Sequence, residues 1–206
     1  MKSPMNTRAP WIKGSAGSVL LHAALVLPAL TPAELNAALA LAEREHCAFA
    51  PDAIAALIAL LATLRDGFGN TTIDGLDSSA RWAGEPYDAA QFAADAAIYD
   101  DAAILGSGAI ADQLWARPAV TVIGIDAPAT ATAAAAIQPR AAALLNLRVP
   151  PGTDPRHAGA LLVAHLTHHA PWGAHVDAVV ESVGEPFAAE TTAVAQGDLS
   201  KKITVD

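Results

Sequence analysis

Cysteine is almost absent: Cys47 stands alone in 206 residues. That excludes an internal disulfide framework and any multi-cysteine metal site, and it suits a reducing compartment. Positive charge is scarce as well, with 12 Lys and Arg against 21 Asp and Glu and a net charge of −9, for a pI near 5.1. The chain has no Lys/Arg cluster, so this balance argues against a nucleic-acid partner. Long apolar runs are missing too. The best of them, Val19 to Leu30, is shorter than the about 20 residues a membrane span needs. Lys2, Arg8 and Lys13 ahead of it sketch a signal peptide, but His22 and Pro28 interrupt the run, and Thr31-Pro32-Ala33-Glu34 after it reads as a helix capping box. The expected location is the cytoplasm, with no membrane partner. Also absent are a Gly-x-Ser-x-Gly elbow, a phosphate loop, a dinucleotide fingerprint and an adjacent Glu-Glu pair.

What is present is apolar and small. The chain is 53% hydrophobic and 16% charged, and alanine supplies about a quarter of all residues. Such a chain buries enough surface to fold, around a thin core. The spacing predicts a helix from Pro32 to about Glu45. A second starts at Pro51 with Ile54, Leu57, Ile58, Leu61 and Leu64 as its buried stripe and ends at Asp66-Gly67. Residues 70–104 read as an excursion with a weak helix near Ala89 to Ala97. Ala119 to Asp126, apolar on both faces, reads as an interior strand. Leu145, Leu147 and Val149 alternate with Asn146 and Arg148, a strand with one wet face. Asp154 caps a helix that opens on Pro155 and runs to His169. Val176, Ala178 and Val180 alternate with His175, Asp177 and Glu181 in a last strand. The order implies an α+β fold: an antiparallel sheet with helices packed on one face, a split β-α-β sandwich with an extra N-terminal helix. The pattern requires a strand before the Pro51 helix, and Ser18 to Val26 is the segment that could supply it.

Candidates for chemistry are sparse. His165, His168 and His169 sit at i, i+3 and i+4 near a helix end, where two could chelate a metal. No carboxylate at helical spacing completes a site, so they read as partners of the helix dipole. His175 and Asp177 share a strand face, the His-x-Asp spacing of some di-zinc hydrolases, yet no Glu-Glu pair supplies a base or bridging ligands. Neither a catalytic residue nor a metal site is therefore assigned. Cys47 follows His46 directly, but neighbours in a helix diverge. Arg148 lies on a polar strand face beside Asn146, and near His175 and Asp177 if those strands are adjacent. A guanidinium held there is suited to bidentate capture of a carboxylate.

Several segments agree in order and spacing with one known family. They are 51–64, Leu105-Gly-Ser-Gly108, 114–128, Leu145-Asn-Leu-Arg-Val-Pro-Pro-Gly-Thr-Asp-Pro155, His169-Ala-Pro-Trp-Gly173 and Gly184-Glu-Pro-Phe187. Together they resemble the lid, or dimerisation, domain of the di-zinc dipeptidases and aminoacylases (metallopeptidase family twenty), nearest to bacterial dipeptidases similar to carnosinase. The resemblance implies a lid that pairs two subunits and contributes substrate-binding residues. The two zinc ions, their ligands and the general base belong to a separate catalytic domain, whose motifs this sequence lacks. Arg148 matches the lid arginine associated with the substrate carboxylate. His46 falls close to the place of a family His-Ser-Gly histidine, although the surrounding motif and the family's first lid strand have no matching sequence up to Cys47. The asparagine usual before Ile137-Gln138-Pro139 is replaced by alanines.

Residues 191–206 resemble part of a HAMP signalling linker. The expected organisation is an unrelated N-terminal extension with a helix (1–48), a peptidase lid (49–188) and a HAMP-like tail (189–206), as in a rearranged or truncated gene product. The expected function is self-association without catalysis. The rivals are a signalling fragment and a lid working in trans with a separate peptidase catalytic half.

Overall fold

Alternation in the first described segment sets the centre of the molecule. In a computed structural model of the chain, the described residues are 17–26, 52–99, 101–133 and 137–184. Strand β1 (Gly17–Val26) turns Val19, Leu21, Ala23 and Leu25 into the core, all fully buried, as period-two alternation requires. It is followed by α1 (Ala53–Ala62), α2 (Ala89–Asp95), β2 (Ala119–Asp126), β3 (Arg140–Val149), α3 (Pro155–His168) and β4 (His175–Gly184). The sheet order is β2-β3-β1-β4, antiparallel throughout. This is the split β-α-β arrangement the sequence implies. Ser18 to Val26 does supply the missing first strand, and it lies between β3 and β4 rather than in a separate extension. The folded unit therefore begins before residue 48. The N-terminal helix expected over 32–45, the HAMP-like tail, His46 and Cys47 lie outside the described residues.

Helices α1 and α3 cover one sheet face, closing a core of Leu57, Leu60, Leu64, Leu145, Leu147, Leu162 and Leu166 with the inward residues of β1. Asp52, not Pro51, marks the start of α1: its carboxylate accepts from the backbone N–H groups of Ile54 and Ala55, satisfying two donors that the helix leaves open. Ile58, expected in the buried stripe, is exposed, whereas Ala53, Ala56 and Leu60 are buried. A helix apolar on every side leaves its own inward face undetermined, and the close fit of small alanines against the sheet decides it. Asp154 accepts from the Arg156 N–H and Pro155 opens α3, as expected. Gly159 lets α3 approach the sheet closely; a Cβ there would lie 3.1 Å from Val19 Cγ1 and 3.3 Å from Val180 Cγ2.

Strand β2 corrects one expectation. Among the described residues it is an edge strand, not an interior one, and only Val120 is buried. Val122 and Ile125 pair with the core-facing Leu145 and Ala143, and the register shifts at Ile123. The three side chains stay 41%, 58% and 51% exposed for Val122, Ile125 and Ile123, because the helices pack on β1, β3 and β4. Apolarity on both faces marks a strand that wants covering, without saying by what.

Candidate functional site

Arg148 owes its position to β3. Leu147 and Val149 on either side of it point into the core, so Arg148 and Asn146 stand on the face away from the helices. Asn146 Oδ1 accepts a 2.6 Å hydrogen bond from Ser18 Oγ. Arg148 is half-buried; its Nη2 donates to the Gln113 carbonyl at 3.3 Å, its one hydrogen bond among the described residues. Burial holds the guanidinium pKa below its ordinary value, though an arginine remains a cation at any physiological pH. The side chain is thus on the face away from the helices and, among the described residues, outside any internal ion pair.

His175 and Asp177 do not join it. The register sets Arg148 opposite Ser18, whereas His175 lies opposite Val26 at the other end of β1. That is about 27 Å along a strand, at about 3.4 Å per residue. Both residues are exposed on β4. A shallow hollow of about 340 Å³ on the open face, lined in part by His22, Ile125, Asp126, Leu144 and Glu181, also lies toward the end remote from Arg148.

The structure does assemble one constellation that the sequence left incomplete. Beyond α1 the chain folds back through a bridge between Arg65 and Thr71. Arg65 Nη2 donates to the Val120 carbonyl. Thr72 secures the return by donating N–H to Leu64 O at 3.0 Å and Oγ1–H to Thr63 O at 2.8 Å. Ile73 is buried, and Gly75, at φ +78°, turns the chain against Leu161, a conformation that favours glycine. Asp74 is thereby held at the last turns of α3. Its Oδ2 lies 2.8 Å from His169 Nε2, 3.4 Å from His165 Nδ1 and 3.7 Å from His168 Nδ1.

His165 is 3% exposed, and its proton is placed by its partners. The Asp74 backbone N–H donates to Nδ1 at 3.1 Å, so Nδ1 is the acceptor and Nε2 carries the hydrogen. Nε2–H points at Thr63 Oγ1, 3.0 Å away, and that hydroxyl donates its own hydrogen bond to the Leu60 carbonyl at 2.7 Å. Burial, reinforced by the neighbouring His169, pushes the His165 pKa down, with Asp74 opposing. His165 is a neutral imidazole beside a carboxylate, and not half of an ion pair. The hydrogen bond from His169 is the main reason the Asp74 carboxyl titrates below its ordinary value. The i, i+3, i+4 histidine spacing was readable beforehand. The carboxylate was not, because it arrives from a loop some ninety residues away.

Residues 46–174 match the family described as the peptidase dimerisation domain, of the M20 peptidases. The chain belongs to that family. The cysteinylglycine-S-conjugate dipeptidase of Corynebacterium striatum is 39% identical over 143 residues, which make up 68% of this chain and 31% of that protein. The chain thus spans about a third of the length of this relative. Among solved structures, human carnosine dipeptidase 1 superposes with a TM-score of 0.59 at 15% identity, over 86% of this chain and 38% of that one. The M20 family metallo-carboxypeptidase Sso-CP2 of Sulfolobus solfataricus gives 0.56 at 20% identity, over 87% and 47%. At these identities the superpositions speak for the fold, an α+β dimerisation domain. No helix among the described residues is long and apolar enough to cross a membrane.

Proposed function

We propose that this domain serves as the dimerisation and lid module of an M20-type dipeptidase and is not catalytic by itself. The observation that carries the reading is the β2 edge. Val122, Ile123 and Ile125 stand exposed in a row along an edge whose backbone ladder, past Val120 with its Arg65 and Thr71 partners, pairs with no further strand among the described residues, and each large apolar side chain withdrawn from water contributes about 1.5–3 kcal/mol. Pairing with a second copy satisfies the ladder and covers the row together. Arg148 on the open face is the candidate for the carboxylate of a dipeptide, a charge-assisted contact worth about 1.5–3 kcal/mol. His46 is the second candidate, by its place in the sequence. The compartment that fits the lone cysteine is the cytoplasm.

The described residues do not fit a di-zinc hydrolytic centre. His175 and Asp177 are exposed on β4, and the group that gathers three potential ligands, Asp74 with His165 and His169, has no neighbouring carboxylate pair to bridge two ions or take a proton from water. Two measurements test the reading. Light scattering on the 206-residue chain is expected to show dimers; a monomer across a wide concentration range overturns the dimerisation role. Zinc- or manganese-loaded chain is expected to leave dipeptides intact, whereas turnover that survives gel filtration and disappears in His175→Ala overturns the non-catalytic role.

A further inference from the structure

We propose that Asp74, His165 and His169 bind one divalent transition-metal ion, zinc by preference, which clamps the 71–76 loop to the end of α3. The three donor atoms lie within 4.8 Å of one another. Bonds of about 2.0–2.1 Å to a tetrahedral zinc place donors about 3.3–3.4 Å apart. His165 Nδ1 and Asp74 Oδ2 already stand at 3.4 Å. His169 Nε2, at 2.8 Å from the same oxygen, has to give up the hydrogen it shares with Asp74, leaving the ring protonated on Nδ1, and to withdraw by about half an ångström to fit that geometry. His168, exposed on the same turn with Nδ1 3.7 Å from Asp74 Oδ2, is placed to supply a fourth ligand; otherwise water takes that position.

The orientation of His165 is the stronger argument. Ligating imidazoles characteristically donate their other N–H to a fixed acceptor, which sets the tautomer and aims the lone pair. Here Thr63 Oγ1 is that acceptor and is itself anchored on the Leu60 carbonyl. Nδ1, whose lone pair accepts the Asp74 N–H, consequently lies 3.4 Å from a carboxylate oxygen, and a bound metal takes the place of that N–H. Two electron-rich atoms at that distance repel, eased by the Asp74 N–H on Nδ1 and by the His169 hydrogen bond on Oδ2; a shared cation turns the contact into an attraction. Two imidazoles and a carboxylate are a donor set for zinc, and also for cobalt, nickel or copper, but a poor one for magnesium or calcium.

The decisive experiment titrates the chelator-treated full chain with Co²⁺, read by visible absorption, and with Zn²⁺ by calorimetry. One equivalent with tetrahedral cobalt bands and a zinc-dependent rise in Tm is expected. Asp74→Asn and His169→Asn change exposed or half-exposed groups and leave the core intact; each should weaken binding at least tenfold. Thr63→Val should weaken it about 10–100-fold through the lost orientation of His165. His157→Gln, in the first turn of α3, and the double substitution His46→Asn with Cys47→Ser should leave the affinity for cobalt and zinc unchanged. Binding unaffected by Asp74→Asn and His169→Asn, binding lost in the His46/Cys47 double variant, or no cobalt band at millimolar metal would each overturn the site.

Discussion

Strands β2 and β4 both end the sheet, and they end it differently. β4 alternates half-buried Val176, Ala178 and Val180 with exposed His175, Asp177 and Glu181, and α3 lies against its inner face. β2 carries Val120, Val122, Ile123 and Ile125, and most of it is exposed. Charges on an edge discourage a further strand from adding, whereas an apolar edge such as β2, charged only at Asp126 at its end, invites one. Among the described residues, one border of the sheet carries charge and the other is mostly apolar, the border that the proposed pairing would use. A peptidase dimerisation domain needs that asymmetry, because two inviting edges would generate open-ended chains of subunits rather than a closed pair.

The comparison can be broken most forcefully by charge. Val122→Lys with Ile125→Lys is expected to weaken self-association by about 2–4 kcal/mol, a factor of roughly 30 to 1000 in Kd, as a central interface contact would. Val179→Lys, at the similarly exposed Val179 of β4 (56%), should shift it less than about twofold, since rim or remote charges matter little. Sedimentation of the two variants side by side decides the matter, and equal effects would erase the distinction between the edges.

Packing gives the next largest contrast. Gly159→Val inserts a side chain where a Cβ already meets Val19 and Val180, and should cost about 1–3 kcal/mol by overpacking, seen as a lower urea midpoint. Gly124→Val on β2, where a Cβ lies at an ordinary 3.7 Å from Leu144 Cβ, should stay within about 0.5 kcal/mol of the parent. Similar losses at the two sites would mean that α3 is not seated on β4 as described.

Smallest is the effect of pH. With chelator present, the unfolded chain takes up a proton at His165 near the ordinary pKa of 6.5, while the buried imidazole does so only at lower pH. The unfolded state then binds more protons, so stability falls as pH drops below about 6.5. His169 and His168 strengthen the shift and Asp74 opposes it. A modest fall in Tm between pH 7.5 and 5.5, absent in His165→Gln, is the expected signature. β2 has no histidine, so its association should not follow that curve.

Much of this fold was legible because strands with one wet face and capped helices advertise themselves. The Leu145-Asn-Leu-Arg-Val149 alternation placed Arg148 on the correct face, and Asp154-Pro155 placed the start of α3. Legibility failed where a residue's neighbours come from elsewhere in the chain. Nothing around Asp74 announces three histidines, since the contact depends on Thr72 and Gly75 folding a loop back over α1. Arg148 was expected near His175 because the strand order was unknown, and β1 inserted between β3 and β4 moves the two to opposite ends. β2 read as interior because an apolar strand has the same composition whether its cover is its own chain or another.

The insertion of β1 between β3 and β4 has a consequence in time. β1 emerges first from the ribosome, yet its partner β3 begins at Arg140, more than a hundred residues after Val26. At about 5–20 residues per second, translation alone postpones that pairing by roughly 5–20 s. Throughout that interval a strand reading Val-Leu-Leu-His-Ala-Ala-Leu-Val has no native partner, and loop closure over such a span adds an entropic barrier of its own. The nascent domain therefore offers chaperones an apolar segment for most of its synthesis, and a strand made early that finishes at the centre of the sheet waits for its first partner until β3 is made.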